Sequence, residues 1–120
     1  MSFTDLEVWQ KAHELNIEIY EITKSFPDEE RYRLVDQLCR ASSSVTANIA
    51  EGSGRRTLDE YIHFISSSRG SVEEIKNHLI LARDLSYLND EKANNLIRDY
   101  EEIGKMLNGL MNSLREKNNS

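Results

Sequence analysis

Apolar residues recur at alternating intervals of three and four along nearly the whole chain, which is the spacing of one face of an α-helix. Four stripes can be followed: Val8, Ala12, Leu15, Ile19, Ile22 and Phe26; Val35, Leu38, Ser42, Val45 and Ile49; Leu58, Tyr61, Ile65, Ser68, Val72, Ile75, Leu79 and Ala82; and Leu96 or Ile97, Tyr100, Ile103, Leu107, Leu110 and Leu114. No stretch alternates apolar and polar residues as a half-buried strand would. The pattern predicts an all-α fold.

Residues typical of helix ends separate the stripes: the capping-box pairs Thr4–Glu7 and Thr57–Glu60, the breakers Pro27, Gly52 and Gly54, the acidic run 28–30 and the cap Asn89. They predict helices at about 5–25, 28–52, 57–86 and 90–116 in a single domain spanning 1–120, with a frayed tail after 116. Short connections make consecutive helices antiparallel neighbours. The expected architecture is an antiparallel up-down-up-down four-helix bundle.

Net charge, cysteine content and the lengths of the apolar runs argue against several classes of function. The 120 residues carry a formal net charge of −6, whereas proteins that bind nucleic acid through phosphate contacts are usually basic. Cys39 is the only cysteine, so no internal disulfide can form and a reducing cytoplasm is expected. No apolar run approaches the roughly 20 residues of a membrane span, and the N-terminus lacks the pattern of a signal peptide.

The small residues of the second and third helices predict a close contact. A hairpin centred near Arg55 places Ser42 opposite Ser68, and Arg40 opposite Gly70. These positions have two interpretations, either tight helix packing or a serine-lined polar pocket or subunit contact. Because glycine inside a helix costs roughly 1 kcal/mol relative to alanine, Gly70 is expected to have a packing reason.

Polar residues, glycines and adjacent arginines concentrate in the run 48–56, where the second helix ends. Glu51 lies four residues before Arg55, which predicts an ion pair with Arg55 or Arg56. Asn48 is expected to hydrogen-bond near the turn and to fix the hairpin angle, and Gly52 and Gly54 complete this structural network.

A polyanion site is the alternative interpretation of the arginines. The amino end of the third helix adds positive potential beside Arg55 and Arg56, and Arg40 and Arg69 are candidate neighbours. Oligomerisation would multiply such a site.

No constellation of residues predicts catalysis, a metal or a cofactor. Glu60-x-x-His63 has the spacing used in di-iron bundles, but such a site needs two of these motifs and two further glutamates on facing helices. Cys39 follows a core position, so it is expected to be a small buried hydrophobe rather than a nucleophile. The chain is therefore expected not to be an enzyme.

Several motifs extend over nearly the whole chain: Phe3-x-x-Leu6-x-Val8-Trp9-x-x-Ala12, Phe26-Pro27-x-x-Glu30-x-Tyr32-x-Leu34, Gln37-Leu38-x-Arg40-Ala41, Asn48-Ile49-Ala50-Glu51-Gly52-x-Gly54-Arg55 and Gly70-Ser71-x-x-Glu74. In this order the chain resembles the four-helix-bundle proteins encoded in intervening sequences of bacterial large-subunit ribosomal RNA genes. That family is similar to the accessory variability determinants of diversity-generating retroelements. The resemblance implies a bacterial homopentamer with no established enzymatic activity. The retroelement relatives are basic and bind RNA and a reverse transcriptase, whereas this chain is acidic.

Apolar residues outside the main stripes also predict self-association: Leu6, Trp9, Ile17, Tyr20, Leu34, Ile62, Phe64 and Ile80. The outer surface of a four-helix bundle should be polar, and these residues exceed what one core needs. The predicted function is a non-catalytic oligomeric interaction module or scaffold that docks a protein or nucleoprotein partner. Direct RNA binding through the turn between the second and third helices is the alternative.

Overall fold

The computed structural model describes residues 2–119 and contains four long helices. They are α1 (Glu7–Thr23), α2 (Leu34–Ser53), α3 (Leu58–Asp84) and α4 (Asp90–Asn118). Short 3₁₀-helices at Phe3–Asp5 and Asp28–Glu30 precede α1 and α2, and no strand occurs in the described residues. The predicted all-α, antiparallel four-helix bundle is confirmed.

Each helix packs against two neighbours, so the bundle closes on itself. α2 contacts α1 and α3, and α4 contacts α3 and α1, within an envelope of 50 × 23 × 20 Å. The connections 24–33 and 85–89 lie at one end, which we call the loop end. The α2–α3 turn, residues 54–57, lies at the opposite end, which we call the turn end.

The predicted stripes form the core. Their central members are fully or almost fully buried, among them Ile19, Leu38, Ile65 and Leu79. Burial of each such side chain contributes roughly 1.5–3 kcal/mol of transfer free energy. Tyr100 is also fully buried, and its hydroxyl has no hydrogen-bond partner among residues 2–119. Burial raises the pKa of this phenol, so it stays protonated.

The first helix begins differently from the prediction. The capping box is formed by Ser2 and Asp5 around the first 3₁₀-helix, and the proposed box of Thr4 with Glu7 is wrong. α1 starts after Leu6, which has the extended backbone of an N-cap residue but cannot cap through its side chain, because leucine has no hydrogen-bond acceptor there. The side-chain cap in this segment therefore belongs to the 3₁₀-helix, and α1 starts without one.

The second helix starts later than predicted. The acidic run Asp28–Glu30 is a separate 3₁₀-helix, and α2 begins at Leu34 after Arg33 departs from helical geometry (φ −118°, ψ −104°). Phe26 and Leu34 are both buried on either side of this segment. The chain bends here because both apolar side chains enter the core.

The remaining helix starts agree with the prediction. The Thr57 hydroxyl accepts from the Glu60 amide at 3.1 Å, and Asn89 Oδ1 accepts from the Lys92 amide at 2.7 Å. At the carboxyl end, the tail predicted to fray stays helical to Asn118, whose amide donates to Asp59 Oδ1 at 2.7 Å. Ser120 lies outside the described residues.

Ser86 ends α3 in a left-handed conformation, with φ 63°. The Tyr87 amide donates to the Ala82 carbonyl and the Ser86 amide donates to the Arg83 carbonyl, both at 2.9 Å. This is the hydrogen-bond pattern of a Schellman motif, in which glycine is the usual residue at the left-handed position.

The register of α2 against α3 differs from the prediction by about one helical turn. Ser68 Oγ donates to the Val45 carbonyl at 2.5 Å, and Ser71 Oγ donates to Ser44 Oγ at 3.0 Å. Ser42 instead faces α1, where its hydroxyl donates to Asn16 Oδ1 at 2.7 Å. Ser42 and Ser68 are both buried, but they serve two different helix contacts rather than one pocket.

The close-packed glycine is Gly52, not Gly70. A Cβ on Gly52 would lie 2.8 Å from Phe64 Cβ and 3.0 Å from Tyr61 Cδ1, so the absence of a side chain lets α2 and α3 approach. Gly70 is exposed, and a Cβ built there meets nothing within 4 Å. The expected packing reason for Gly70 is therefore wrong, as is its predicted place opposite Arg40.

Candidate functional site at the helix turn and on the exposed surface

The four candidate arginines do not form one patch. Arg40 pairs with Asp36 at 2.9 Å on the exposed side of α2. Arg69 pairs with Glu73 at 2.5 Å, and its guanidinium lies over Gly104 of α4, 3.4 Å from the position of an added Cβ. Arg40 lies 15 residues before Arg55 and Arg69 lies 14 residues after it, and each separation is roughly 20 Å along a helix. Only Arg55 and Arg56 share a location.

Arg69 belongs to a charge network between α3 and α4. Hydrogen bonds from Arg69 and Lys76 to the Glu73 carboxylate lower the pKa of that carboxyl. Because the guanidinium is engaged by Glu73 and packed on α4, Arg69 has a structural role in the isolated chain.

Arg55 is held against the turn by two contacts. Its guanidinium lies 3.5 Å from the Glu51 carboxylate and 4.5 Å from the centroid of the Phe64 ring. The predicted ion pair with Glu51 is present, and the cation–π contact adds a partner on α3. Arg55 and Phe64 also line an open groove of about 350 Å³ with Asp59, Glu60 and His63.

The turn is not a basic surface. Arg56 is exposed and makes no ion pair within residues 2–119, but the ten residues from 51 to 60 contain three carboxylates against two guanidinium groups. Two of these carboxylates, Asp59 and Glu60, lie in the first turn of α3 and already offset the positive end of its dipole. The local charge is therefore −1.

Asn48 lies on the α2–α3 contact rather than at the turn. Its amide donates to the Ser44 carbonyl at 2.8 Å and to Ser44 Oγ at 2.9 Å. Ser44 Oγ also accepts from Ser71, so a short polar chain joins the two helices. Asn48 thus contributes to the α2–α3 contact one turn before the place where it was expected. Gly54 ends α2, and its amide donates to the Glu51 carbonyl.

The catalytic and metal candidates are not assembled into a site. Among residues 2–119 no three His, Cys, Asp or Glu side chains are placed to hold a metal ion. Cys39 is half-buried, its sulfur lies 3.8 Å from Thr23 Oγ1, and burial raises the pKa of the thiol. A thiol with a raised pKa is a poor nucleophile at neutral pH.

Comparison with known proteins identifies a family and a solved structure with the same fold. Residues 4–109 match the model of the 23S rRNA-intervening sequence protein family. The chain belongs to this family. A crystal structure of a protein of unknown function from the S23 ribosomal protein family of Bacteroides thetaiotaomicron VPI-5482 superposes with a TM-score of 0.78. The two chains are 21% identical over 87% of this chain and 97% of that one, so the likeness shows the fold. No protein with curated annotation matches the chain.

In this member of the 23S rRNA-intervening sequence protein family, large apolar side chains are exposed at the loop end and on the parts of α1 and α3 that lead to it. Those that are at least two-fifths exposed among residues 2–119 are Ile17, Tyr20, Tyr32, Ile80, Leu81 and Leu85. They lie on α1, in the α1–α2 connection and on the last part of α3. None lies in the α2–α3 turn.

The off-stripe residues chosen from the sequence identify part of this surface. Ile17, Tyr20 and Ile80 are exposed as expected, whereas Leu34 is buried because the 3₁₀-helix turns it into the core. Leu6, Trp9, Ile62 and Phe64 are partly buried.

Sequence analysis overlooked Tyr32, Leu81 and Leu85. Leu81 stands next to the core residue Ala82, and an adjacent helical position points about 100° away. The exposure of Leu81 could therefore have been predicted from the helical period. The exposure of Tyr32 could not, because it depends on the bend before α2.

The sequence predicts no membrane-spanning segment. No helix within the described part of the chain is both long enough and apolar enough to cross a bilayer.

Proposed function

We propose that this protein is a non-catalytic oligomeric scaffold that docks a protein or nucleoprotein partner. The observation that carries the proposal is the set of large apolar side chains left exposed on α1, in the α1–α2 connection and on the last part of α3, including Tyr32 at 85% exposure. Apolar surface that remains exposed in a folded monomer is typical of interaction sites. The expected assembly is a cytoplasmic homopentamer, on the family resemblance, with no bound cofactor.

The charge of the chain supports a protein contact over a nucleic-acid contact. With a net charge of −6 the chain repels a polyanion at long range, whereas a partner protein that is neutral or basic is not repelled. The exposed tyrosines, Tyr20 and Tyr32, are of a residue type that is enriched in the buried core of protein interfaces.

Sedimentation analysis at micromolar concentration tests the scaffold. The wild-type protein should sediment as a multimer of the 13.9 kDa chain. Ile17→Glu combined with Tyr20→Glu should reduce the size without loss of helicity. Ala47→Glu, at an exposed site on α2, is the control and should leave the size unchanged. A wild-type monomer at these concentrations would contradict the proposal.

RNA binding through the turn is the second candidate, and it is favoured by one observation. Arg56 is exposed and has no ion pair within residues 2–119, and it lies beside Arg55 in a turn that every subunit of an oligomer would repeat.

Filter binding of labelled ribosomal RNA fragments over a salt series separates the two functions. The scaffold predicts no binding at 150 mM salt. A bound complex that weakens steeply with salt, and that Arg55→Ala with Arg56→Ala removes, would establish the RNA alternative instead. The same substitutions at Arg40 and Arg98 remove equal charge elsewhere and serve as the control.

A further inference from the structure

We propose that a second copy of this chain fills the groove where α1 ends beside α2, and that it does so with its own Leu81 and Leu85. This inference rests on the proposed self-association and names the two surfaces that meet. The groove, which we call the α1–α2 groove, has a volume of about 440 Å³. Its floor and wall include Phe26, Val35 and Tyr20.

The α1–α2 groove is large enough to receive apolar side chains. Phe26 is buried and Val35 is half-buried, so the floor is apolar, while Tyr20 is half-exposed at one wall and contacts Ser43 through its hydroxyl at 3.2 Å. Concave, mostly apolar sites of this volume are typical of binding pockets. No apolar side chain from residues 2–119 fills the groove.

Leu81 and Leu85 provide such a group on another face of the bundle. They are 45% and 47% exposed and stand one helical turn apart, so they project side by side. Leu85 follows Ser71 by two heptads, and the Ser71 hydroxyl contacts α2, so the leucine pair lies on the α2 side of α3. The groove lies on the opposite, α1 side of α2, which prevents a chain from filling its own groove.

Charge at the two surfaces is complementary. Arg31 lines the groove and makes no ion pair within residues 2–119, whereas Lys24 is paired with Glu21 at 3.2 Å. Asp84 stands next to Leu85 with a 62% exposed side chain, and its one ion pair in the described chain is with its neighbour Arg83. A docked leucine pair therefore carries a carboxylate to the rim.

The rim also contains a carboxylate, Asp28, so the attraction depends on Arg31. Arg31 has no ion pair within residues 2–119, so in an acidic chain of net charge −6 it is a group at the rim to which a carboxylate of another copy, such as Asp84, can bind. This argues for a second copy as the occupant.

Contact between two different surfaces of the same chain is heterologous. It repeats from subunit to subunit and closes into a ring or extends into a filament, whereas a symmetric contact stops at a dimer. Each subunit would offer one groove and one leucine pair.

A mixing experiment tests this arrangement with two variants altered only at exposed side chains. The groove variant is Tyr20→Glu with Arg31→Glu, and the leucine variant is Leu81→Glu with Leu85→Glu. Each variant alone should sediment as a folded monomer, because every contact uses one altered surface. An equimolar mixture should form a heterodimer of twice the 13.9 kDa chain mass through the one contact that stays intact.

The outcomes distinguish this inference from the scaffold proposal. A monomeric wild type would overturn both. A multimeric wild type whose two variants keep the wild-type size, or whose mixture stays monomeric, would overturn only the heterologous contact. Circular dichroism of each variant confirms that the helices are intact.

Cys39 allows a second, covalent test because it is the single cysteine and lines the α1–α2 groove. Under mild oxidation, Leu85→Cys should produce a ladder of disulfide-linked multimers, since the new thiol would reach Cys39 of the next subunit. Ile80→Cys, equally exposed on another side of α3, should not. Adding Cys39→Ser to Leu85→Cys should abolish the ladder. A dimer that survives this change would show leucine pair against leucine pair and contradict the proposal.

Discussion

The two ends of the bundle use their side chains in opposite ways. At the turn end, Gly52 brings α2 against α3, Arg55 is held by Glu51 and Phe64, and Asn118 reaches back to Asp59. At the loop end, by contrast, large apolar side chains are exposed and a groove opens beside α2. The turn end carries the most conspicuous sequence run, and its residues contact one another. The less conspicuous loop end carries the exposed apolar residues that we propose as the site of self-association.

Gly52→Ala tests the tight contact at the turn end and has the largest expected effect. The new methyl group would lie 2.8 Å from Phe64 Cβ, so α2 and α3 must move apart. Overpacking of this kind lowers the free energy of unfolding by about 1–3 kcal/mol. Thermal and urea denaturation measure the loss.

Gly70→Ala and Gly109→Ala are the matched controls, because an added Cβ meets nothing within 4 Å at either site. Each should instead stabilise the chain, and an equal loss in all three variants would show that Gly52 is not special.

Gly70→Ala is also a prediction in its own right. Replacing an exposed helical glycine by alanine should raise the free energy of unfolding by up to about 1 kcal/mol, since alanine loses less backbone entropy on folding. Denaturation should be paired with sedimentation. A gain in stability with unchanged size would support a solvent-exposed Gly70. A smaller assembly would instead place Gly70 in a subunit contact, and apolar residues near the loop end would then not be the whole contact surface.

Much of the fold followed from the sequence because periodicity is a local property. The stripes through Leu38 and Ile75 needed only the 3.6-residue period to be identified as core. Helix caps at Thr57 and Asn89 were likewise visible, because each is decided by residues within one turn.

What the sequence did not predict depends on contacts between distant segments. The predicted α2–α3 register was wrong by about one turn. The partners of Ser68 and Ser71 depend on how closely the two helices pack at Gly52, and no local sequence pattern predicts that packing. The 3₁₀-helix before α2 arises from the joint burial of Phe26 and Leu34. The exposure of Tyr32 depends on that bend in turn.

Ser86→Gly tests the loop end, where the chain takes a left-handed conformation at a non-glycine residue. Glycine should raise the free energy of unfolding by about 0.5–1 kcal/mol, because its left-handed conformation carries no Cβ penalty and the Schellman hydrogen bonds are kept. Calorimetry should show a higher Tm. The matched change Ser25→Gly, in the α1–α2 connection and without a positive φ, should give no gain. If Ser86→Gly lowers the Tm, the serine side chain has a role that the backbone conformation does not explain.

A comparison of Arg55→Ala with Arg56→Ala tests the contacts at the turn end and has the smallest expected effect. Arg55 loses an exposed ion pair and a cation–π contact, so its replacement should lower the free energy of unfolding by about 0.5–1 kcal/mol. Arg56 has neither contact within residues 2–119, and its replacement should change stability by less than about 0.5 kcal/mol. Urea denaturation at low and high salt can separate the two contributions, since salt screens the ion pair with Glu51 more than the ring contact with Phe64. Equal effects of the two substitutions would mean that the contacts of Arg55 with Glu51 and Phe64 do not contribute to stability. Arg55 would then be as free as Arg56 to bind a polyanion.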